Sequence, residues 1–275
     1  MLKRAYLEIT NACNLNCPFC TNEKGNSFLS YEEIDLYTTQ IKEFTDYIYL
    51  HILGEPLLHK DFERILDLLD SKDLKLQLVT NGTLLYRYPD ILKHKCLRKL
   101  SISLHSINNT EIDNSYFKTI DRLIENNTDT KLELRFYDKD NLDNSLSDYL
   151  NKLRNKYGLK ETVKSNSYEI KRNTYIYFSE LFKWPDINDE TISHCGTCHG
   201  AIDMIAINSN SDVTICCLDP KAHNCIGNLK KDTLKDILES DKYKAYVNAF
   251  KENRIISKLC SKCSYRLRFD GKNRK

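Results

Sequence analysis

The feature that most constrains this chain is a run of three cysteines near its start, Cys13, Cys17 and Cys20, in the spacing CxxxCxxC. The run comes directly after a strand-like stretch at residues 6–10. Three thiolates at this spacing can bind three irons of a cubane iron–sulfur cluster, which leaves the fourth iron open to an outside ligand. The spacing therefore predicts a cluster at which chemistry takes place.

A zinc site is the alternative interpretation, because short cysteine spacings also bind zinc. Zinc usually needs a fourth protein ligand. The nearest later candidates, His51 and His59, belong to a different βα unit, so an iron–sulfur cluster is favoured.

The cysteine triplet (Cys13, Cys17, Cys20), with the aromatic Phe19 before its last cysteine, resembles the signature of the radical S-adenosylmethionine (SAM) enzymes. In that superfamily the open iron binds the amino and carboxylate groups of SAM. One electron from the cluster then cleaves SAM to a 5′-deoxyadenosyl radical, which removes hydrogen from a substrate. The resemblance places Phe19 at the SAM site.

Composition limits the partners and the location. The 275 residues include 41 Lys plus Arg and 39 Asp plus Glu, a net charge of +2 that argues against nucleic acid or a membrane as partner. Only residues 251–275 are strongly basic, and a solvated end is favoured there over a phosphate-binding one. Because no signal region or membrane span stands out, we expect a cytoplasmic protein, in which 11 cysteines are metal ligands rather than disulfides.

Strand-like and helix-like segments alternate in the first half of the chain, which favours parallel βα units. The predicted strands are residues 6–10, 47–53, 75–80, 99–104 and 131–136, with a sixth candidate at 159–164. Ser30 and Glu33 form a predicted capping box between the first two. Six strands are too few for a closed eight-stranded barrel. The resemblance implies an α/β fold whose residues 1–165 form a partial (β/α)6 TIM-like barrel.

The second predicted strand ends in Gly54, Glu55 and Pro56, which resembles the GGEP motif that binds the SAM amine, with Leu53 in place of the first glycine. A carboxylate and backbone carbonyls suit an ammonium group, and glycine lets the backbone approach closely. An ordinary turn is the alternative. The third predicted strand ends in Asn81, again similar to the superfamily, with a plain Asn-Gly turn as the alternative.

The fourth predicted strand ends in Ser103 and His105, where the resemblance makes Ser103 a candidate for SAM contact. His105 replaces a common aspartate and is the candidate catalytic base, with a structural histidine as the alternative. Arg135 either binds the SAM carboxylate or takes part in a buried ion pair. Tyr49 and His51 alternate on the second strand and are candidates for the barrel interior.

A second set of cysteines, Cys198, Cys216, Cys260 and Cys263, resembles the ligands of the twitch domain, the shortened form of the SPASM domain. The resemblance implies one auxiliary 4Fe-4S cluster in a small cysteine-rich α+β domain, residues 191–275, after a bridging segment, 166–190. Residues 205–207 and 213–215 read as a hairpin. Its turn has Ser211 where the family usually has glycine, and we expect Asn210 to adopt positive φ.

Alternatives remain open for this set. Cys195 can replace Cys198, and Cys217 can replace Cys216. The pairs Cys195/Cys198 and Cys260/Cys263 can also form a zinc site.

Three functions follow as hypotheses. The favoured one is an oxidoreductase that removes hydrogen from a small polar metabolite, such as a sugar or cyclitol, and passes an electron to the auxiliary cluster. The second is a maturase of a ribosomal peptide or protein; such enzymes often carry a leader-binding domain before the barrel, whereas this barrel begins near residue 5. Both need a flavodoxin or ferredoxin as electron donor. The third is a non-catalytic metal-binding protein that associates with nucleic acid.

Overall fold

The computed structural model describes residues 2–21, 25–137, 141–159, 166–180 and 182–269. The strands in this part of the chain are β1 (Arg4–Leu7), β2 (Tyr47–Tyr49), β3 (Lys75–Thr80), β4 (Leu97–Ser103), β5 (Lys131–Tyr137), β6 (Ser167–Lys171), β7 (Thr174–Ser179), β8 (Met204–Ile207), β9 (Asp212–Thr214) and β10 (Cys225–Asn228). The α-helices are α1 (Tyr31–Lys42), α2 (Phe62–Ser71), α3 (Ser115–Asn126), α4 (Asn144–Tyr157), α5 (Leu234–Glu239) and α6 (Asp241–Lys251).

All ten strands form a single sheet in the order β10-β9-β8-β1-β2-β3-β4-β5-β7-β6. Strands β1 to β5 pair in parallel with their neighbours, and β7 pairs in parallel with β5. The sequence prediction of parallel βα units is therefore confirmed. The same parallel alternation brings the carboxyl ends of these strands to one edge of the sheet, where a site can form.

The helices form where the sequence gives them a cap and an apolar stripe. The Ser30 hydroxyl accepts from the Glu33 N–H (3.1 Å) and the Glu33 carboxylate accepts from the Ser30 N–H (2.8 Å), which confirms the predicted capping box. Buried residues of the helices and the sheet form one continuous core that extends from the barrel into the cysteine-rich segment. No helix in the described ranges is both long enough and apolar enough to span a membrane.

Two strands lie in the segment that the sequence suggests is a bridge. β6 and β7 form a hairpin that adds the sixth parallel strand to the barrel sheet. The strand expected at residues 159–164 falls, apart from Leu159, outside the described residues. Because the hairpin extends the barrel to about residue 179, the sheet does not end at the expected boundary of 165.

The hairpin of the cysteine-rich segment also belongs to this sheet. β8 pairs in parallel with β1, with Ala5 opposite Ile205 and Leu7 opposite Ile207. β9 then runs antiparallel to β8, so the residues after β9 return to the amino end of β1. The loop after β1, which carries the cysteine triplet, lies at the opposite end.

The turn of this hairpin differs from the expectation. Positive φ occurs at Ser211 (+73°) rather than at Asn210, because the Asn208 side chain accepts from the Asn210 and Asp212 N–H groups (both 3.0 Å) and sets the turn. The Ser211 hydroxyl, fully buried, accepts from the hydroxyl of Tyr37 on α1 (2.8 Å). This bond offsets the cost of a left-handed serine.

We predict that Ser211→Gly destabilises the protein although glycine suits positive φ. Relief of the backbone gives about 1 kcal/mol, whereas the buried Tyr37 hydroxyl loses its partner at a cost of about 1–3 kcal/mol. The double variant Tyr37→Phe, Ser211→Gly should be at least as stable as the wild type, because it recovers the stability that Ser211→Gly alone loses. Chemical denaturation of the three proteins measures both effects, and a single variant more stable than the wild type would contradict this account.

Candidate active site

One cavity, called here the main cavity, brings together the cysteine triplet and the ends of the barrel strands. The predicted site residues that line it are Cys13, Cys17, Phe19, Cys20, Gly54, Glu55, Asn81, Ser103, His105 and Arg135. Pro56 does not line it, because this residue begins a short 3-10 helix, Pro56–Leu58, and is buried there. Five separate segments of sequence thus meet in one place.

The cysteine triplet is held by local hydrogen bonds. The Leu15 N–H donates to the Cys13 sulfur (3.5 Å), and the Cys17 thiol donates to the Ser106 carbonyl (3.4 Å). Burial raises the pKa of the Cys13 thiol and raises that of Cys17 to about 11. The three thiols therefore sit in a partly buried loop, and one backbone N–H, that of Leu15, points at a sulfur, as is common around cluster ligands.

The loop at residues 54–55 packs directly against the chain before Cys13. Gly54 has φ of +70°, and a Cβ there would lie 2.4 Å from the Thr10 carbonyl oxygen and 2.9 Å from that of Ala12. The Glu55 N–H donates to the Ala12 carbonyl (2.8 Å). Only glycine fits this approach, and the contact fixes where the triplet loop begins.

The Glu55 carboxylate is buried and fully occupied by donors of the protein. Its oxygens accept from the Thr80 hydroxyl (2.8 Å), the Asn81 N–H (2.7 Å) and the Leu57 N–H (3.1 Å). Burial raises its pKa to about 7. These bonds tie the loop after β2 to the end of β3.

Sequence reasoning missed Glu8, a second buried carboxylate. One oxygen accepts from the Leu53 N–H (2.9 Å), and the other accepts from the N–H (3.0 Å) and hydroxyl (3.1 Å) of Ser209. Glu8 thus joins the loop after β2 to the turn after β8. The sequence did offer one signal, because Glu8 is the single charged residue in the strand-like stretch at residues 6–10.

Asn81 braces the triplet loop. Its side-chain oxygen accepts from the N–H (2.9 Å) and hydroxyl (2.7 Å) of Thr83, and its amide donates to the Asn14 side chain (3.0 Å), within the triplet. Ser103 is the last residue of β4 and is buried at the edge of the cavity. Both therefore lie where the sequence predicts them, at strand ends.

His105 is stacked and hydrogen-bonded. Its Nδ1 donates to the Arg135 carbonyl (3.2 Å), and its ring stacks on Tyr137 with centroids 3.6 Å apart, while Phe19 lies at 5.3 Å. Burial lowers its pKa to about 3, so the imidazole is neutral and weakly basic. The Arg135 guanidinium donates to the Tyr137 hydroxyl. This geometry suits a positioning role better than a general base.

The floor of the main cavity lies at its other end. Tyr6, Cys217 and Leu218 line it there, and the His51 ring contacts Tyr6 (5.9 Å). Phe182 and Trp184, which follow β7, add aromatic surface to the cavity wall. Burial raises the pKa of the Tyr6 hydroxyl, and the neighbouring Cys217 adds to this rise. The return of the chain after β9 to the amino end of β1 explains why Cys217 faces this cavity.

A second pocket, called the auxiliary pocket, is lined by all four predicted auxiliary ligands, Cys198, Cys216, Cys260 and Cys263. Cys195 is exposed outside it and Cys217 faces the main cavity instead. Backbone or side-chain N–H groups of Gly200 (3.4 Å), Leu218 (3.3 Å) and Asn224 (3.7 Å) donate to the sulfurs of Cys198, Cys216 and Cys260, respectively. The structure thus places the preferred four together.

The basic tail contributes a buried residue that sequence reasoning treated as solvated. The Arg266 guanidinium, 1% exposed, donates to the carbonyls of Cys260 (3.0 Å), Cys195 (3.1 Å) and Ser193 (3.0 Å). It therefore holds the two cysteine segments of the auxiliary pocket together. A buried arginine with three carbonyl partners leaves no pattern in a tail rich in Lys and Arg.

Two family models match the chain. The model of the radical SAM superfamily covers residues 7–136, and that of the SPASM iron–sulfur cluster-binding domain covers residues 195–264. The chain belongs to the radical SAM superfamily. Its first match contains the cysteine triplet and the second contains all four cysteines of the auxiliary pocket.

Curated relatives of this radical SAM protein match it over a limited region. The probable GTP 3′,8-cyclases of Methanococcus maripaludis and Sulfolobus acidocaldarius are 34% and 36% identical over 107 and 105 residues, which is 37% of this chain in each case. The matched region spans about a third of the relatives, 36% and 34% of their lengths.

Solved structures share the whole fold at low identity. BtrN in complex with AdoMet and 2-DOIA has a TM-score of 0.64 at 16% identity, with 96% of this chain and 93% of that chain covered. Streptococcus suis SuiB bound to the precursor peptide SuiA has a TM-score of 0.62 at 15% identity, with 97% and 72% covered. The structure of anSMEcpe with bound AdoMet and Cp18Cys peptide has a TM-score of 0.60 at 13% identity, with 98% of this chain and 87% of that chain covered.

The two domains of a radical SAM enzyme of this type imply SAM and two 4Fe-4S clusters as cofactors, and the donor sets fit them. The three thiols of the triplet line the main cavity, apart from Cys217 at its floor, and four others line the auxiliary pocket, which matches an open and a fully ligated cubane. Among the described residues, no three His, Cys, Asp or Glu side chains converge as they would on a single metal ion. A cubane keeps its ligands farther apart, since each thiolate binds a different iron.

We predict that Glu55→Gln lowers the free energy of unfolding by about 1–3 kcal/mol, because an amide NH2 would face one of the three donors that the carboxylate now accepts. SAM affinity should fall with it, as the triplet loop loses its support. Denaturation and SAM-binding titrations measure the two effects. Exposed Glu43 provides the control, and a Glu55→Gln variant as stable as Glu43→Gln would contradict the assigned role.

We predict that iron content separates the ligands from their neighbours. The wild type should hold about eight irons after anaerobic reconstitution, and the Cys13, Cys17, Cys20 triple alanine variant about four. Cys198→Ala and Cys216→Ala should reduce the iron content, whereas the matched variants Cys195→Ala and Cys217→Ala should keep it. Iron, sulfide and zinc analysis measures this, and four irons in the wild type with bound zinc would refute the auxiliary cluster.

Proposed function

We propose that this radical SAM enzyme removes hydrogen from a small polar metabolite, a sugar or cyclitol, and oxidises it, with the auxiliary cluster as electron acceptor. When bound, SAM and the first cluster supply a hydrogen-abstracting radical, and the auxiliary cluster accepts one electron. For an alcohol, the carbon-bound hydrogen atom, one electron and the hydroxyl proton leave, and a carbonyl remains. The electron donor to the enzyme is a flavodoxin or ferredoxin.

The observation that carries this proposal is the wall shared by the two cavities, residues 216–218. Cys216 lines the auxiliary pocket, Cys217 lines the main cavity, and Leu218 lines both. A substrate at the floor of the main cavity would thus be one layer of residues from an auxiliary ligand. Such a short separation suits electron transfer out of the substrate.

The residues at the other end of the main cavity are assigned to the first cluster and SAM. The cysteine triplet would bind the cluster. Gly54, Asn81 and Ser103 would contact SAM through strand ends, with Phe19 beside it and Arg135 as the cation for its carboxylate. His105, fixed by the Arg135 carbonyl and Tyr137, would orient its neighbours.

The lining of the floor supports a ring-shaped polyol as substrate. Tyr6, Phe182 and Trp184 present aromatic surface, on which the C–H faces of a sugar-like ring can pack, and His51 offers a polar contact for a hydroxyl. The resemblance over 96% of the chain to BtrN, whose solved complex contains 2-DOIA, supports the same class.

Peptide maturation is the second candidate, because SuiB bound to its precursor peptide shares the fold over 97% of this chain. A nucleic-acid role is less favoured, since Arg266 of the basic tail is buried rather than displayed.

We predict deuterium transfer from a cyclitol. With SAM, reductant and aminocyclitols deuterated at ring carbons, the reconstituted enzyme should form 5′-deoxyadenosine that carries deuterium and a ketone three mass units lighter than the deuterated substrate, since one deuterium and one hydroxyl proton leave. Mass spectrometry follows both products. In Cys198→Ala, which keeps the triplet, transfer should persist while ketone formation falls. Label arriving only from deuterated cysteine-containing peptides would reject the oxidoreductase in favour of the maturase.

A further inference from the structure

His51 lies at the floor of the main cavity and is not explained by the fold. It follows β2, and its ring meets the rings of Tyr6 (5.9 Å) and Tyr49 (5.7 Å) edge to face. These contacts fix the plane of the imidazole without using its nitrogens.

Neither ring nitrogen of His51 has a hydrogen-bond partner among the described residues, and Nδ1 is sealed from solvent. Two other buried histidines are satisfied, since His59 Nε2 pairs with the Leu29 carbonyl (2.8 Å) and His105 Nδ1 pairs with the Arg135 carbonyl (3.2 Å). Because Nδ1 is enclosed, Nε2 is the nitrogen of His51 that a bound molecule can reach.

One polar neighbour of His51 is already engaged, since the Tyr49 hydroxyl donates to the Gln77 side chain (2.6 Å). The Nε2 atom of His51 has no hydrogen-bond partner among the described residues, so a bound molecule can pair with it without breaking a bond of the protein. The arrangement therefore reserves His51 for the ligand.

The charge of the His51 ring indicates which chemical group of a ligand it can bind. Burial, with a smaller contribution from the Arg135 charge, lowers the pKa of His51 to about 4, so the ring is neutral near pH 7. A neutral imidazole nitrogen pairs with a hydroxyl, which can both donate and accept, and offers no ion pair to a carboxylate.

We propose that His51 orients the substrate by a hydrogen bond from its Nε2 atom to a hydroxyl of a polyol ring. The bond would place the ring beside Cys217 and Leu218, against the wall shared with the auxiliary pocket. This inference rests on the proposed oxidation of a sugar or cyclitol and adds the residue that recognises it.

The test compares His51→Leu and His51→Gln with the wild type on the deuterated aminocyclitol that labels 5′-deoxyadenosine. Leucine removes the hydrogen bond, whereas the glutamine amide can place a polar atom near the Nε2 position. We expect His51→Leu to raise KM roughly tenfold and to lower the fraction of 5′-deoxyadenosine that carries deuterium. His51→Gln should recover most of both. The control is His194→Gln, on an exposed histidine outside both cavities, with iron content as the check on folding.

The outcomes separate the two proposals. Cyclitol turnover by the wild type with unchanged KM and labelled fraction in His51→Leu would overturn the role of His51 and leave the oxidoreductase in place. If His51→Leu lost labelled and unlabelled 5′-deoxyadenosine equally and His51→Gln did not restore them, His51 would have a structural role. That result would also overturn the proposed hydrogen bond to substrate. No label from any cyclitol in the wild type would reject the proposed function, and the inference with it.

Discussion

The close contact between Gly54 and the backbone of residues 10–12 fixes the relative positions of the three segments that build the reactive end of the cavity. Because a Cβ at residue 54 would lie 2.4 Å from the Thr10 carbonyl oxygen, only glycine lets the loop after β2 come this close to the triplet loop. The Glu55 carboxylate then accepts hydrogen bonds from the end of β3, which fixes this strand end relative to the same loop. The motif predicted to contact SAM therefore also supports the loop that carries the cysteine triplet.

Strand β1 links the two iron–sulfur sites. Its carboxyl end leads into the triplet loop, Glu8 accepts from Ser209 in the turn after β8, and Tyr6 lines the main cavity together with Cys217. Pairing with β8 makes the cysteine-rich segment an extension of the barrel sheet. The spacing between the sites is therefore set by backbone pairing within one sheet and by buried carboxylates, and it does not depend on a flexible linker.

Local patterns predicted the local structure well. Strands β3 and β5 follow from apolar alternation, and the capping box of α1 from Ser30 and Glu33, because each depends on residues near in sequence. Pairing of β1 with β8 and the choice between Cys216 and Cys217 could not be predicted. Side chains alternate faces beyond a strand end, so which cysteine meets which cavity depends on the sheet neighbours, about 200 residues away. The roles of Arg266 and Glu8 could not be predicted for the same reason, since their hydrogen-bond partners are distant in sequence.

The two histidines of the cavity show why residue type alone does not assign a role. His105 occupies a strand end that the family uses, yet a ligand that needs its Nδ1 must first break the bond to the Arg135 carbonyl. His51 makes no such bond among the described residues. A hydrogen bond from a substrate to its Nε2 atom would therefore displace no partner within the protein, whereas one to His105 Nδ1 would. Hydrogen-bond satisfaction, which sequence does not record, is thus what distinguishes the two histidines, and it is the basis for assigning the proposed substrate contact to His51.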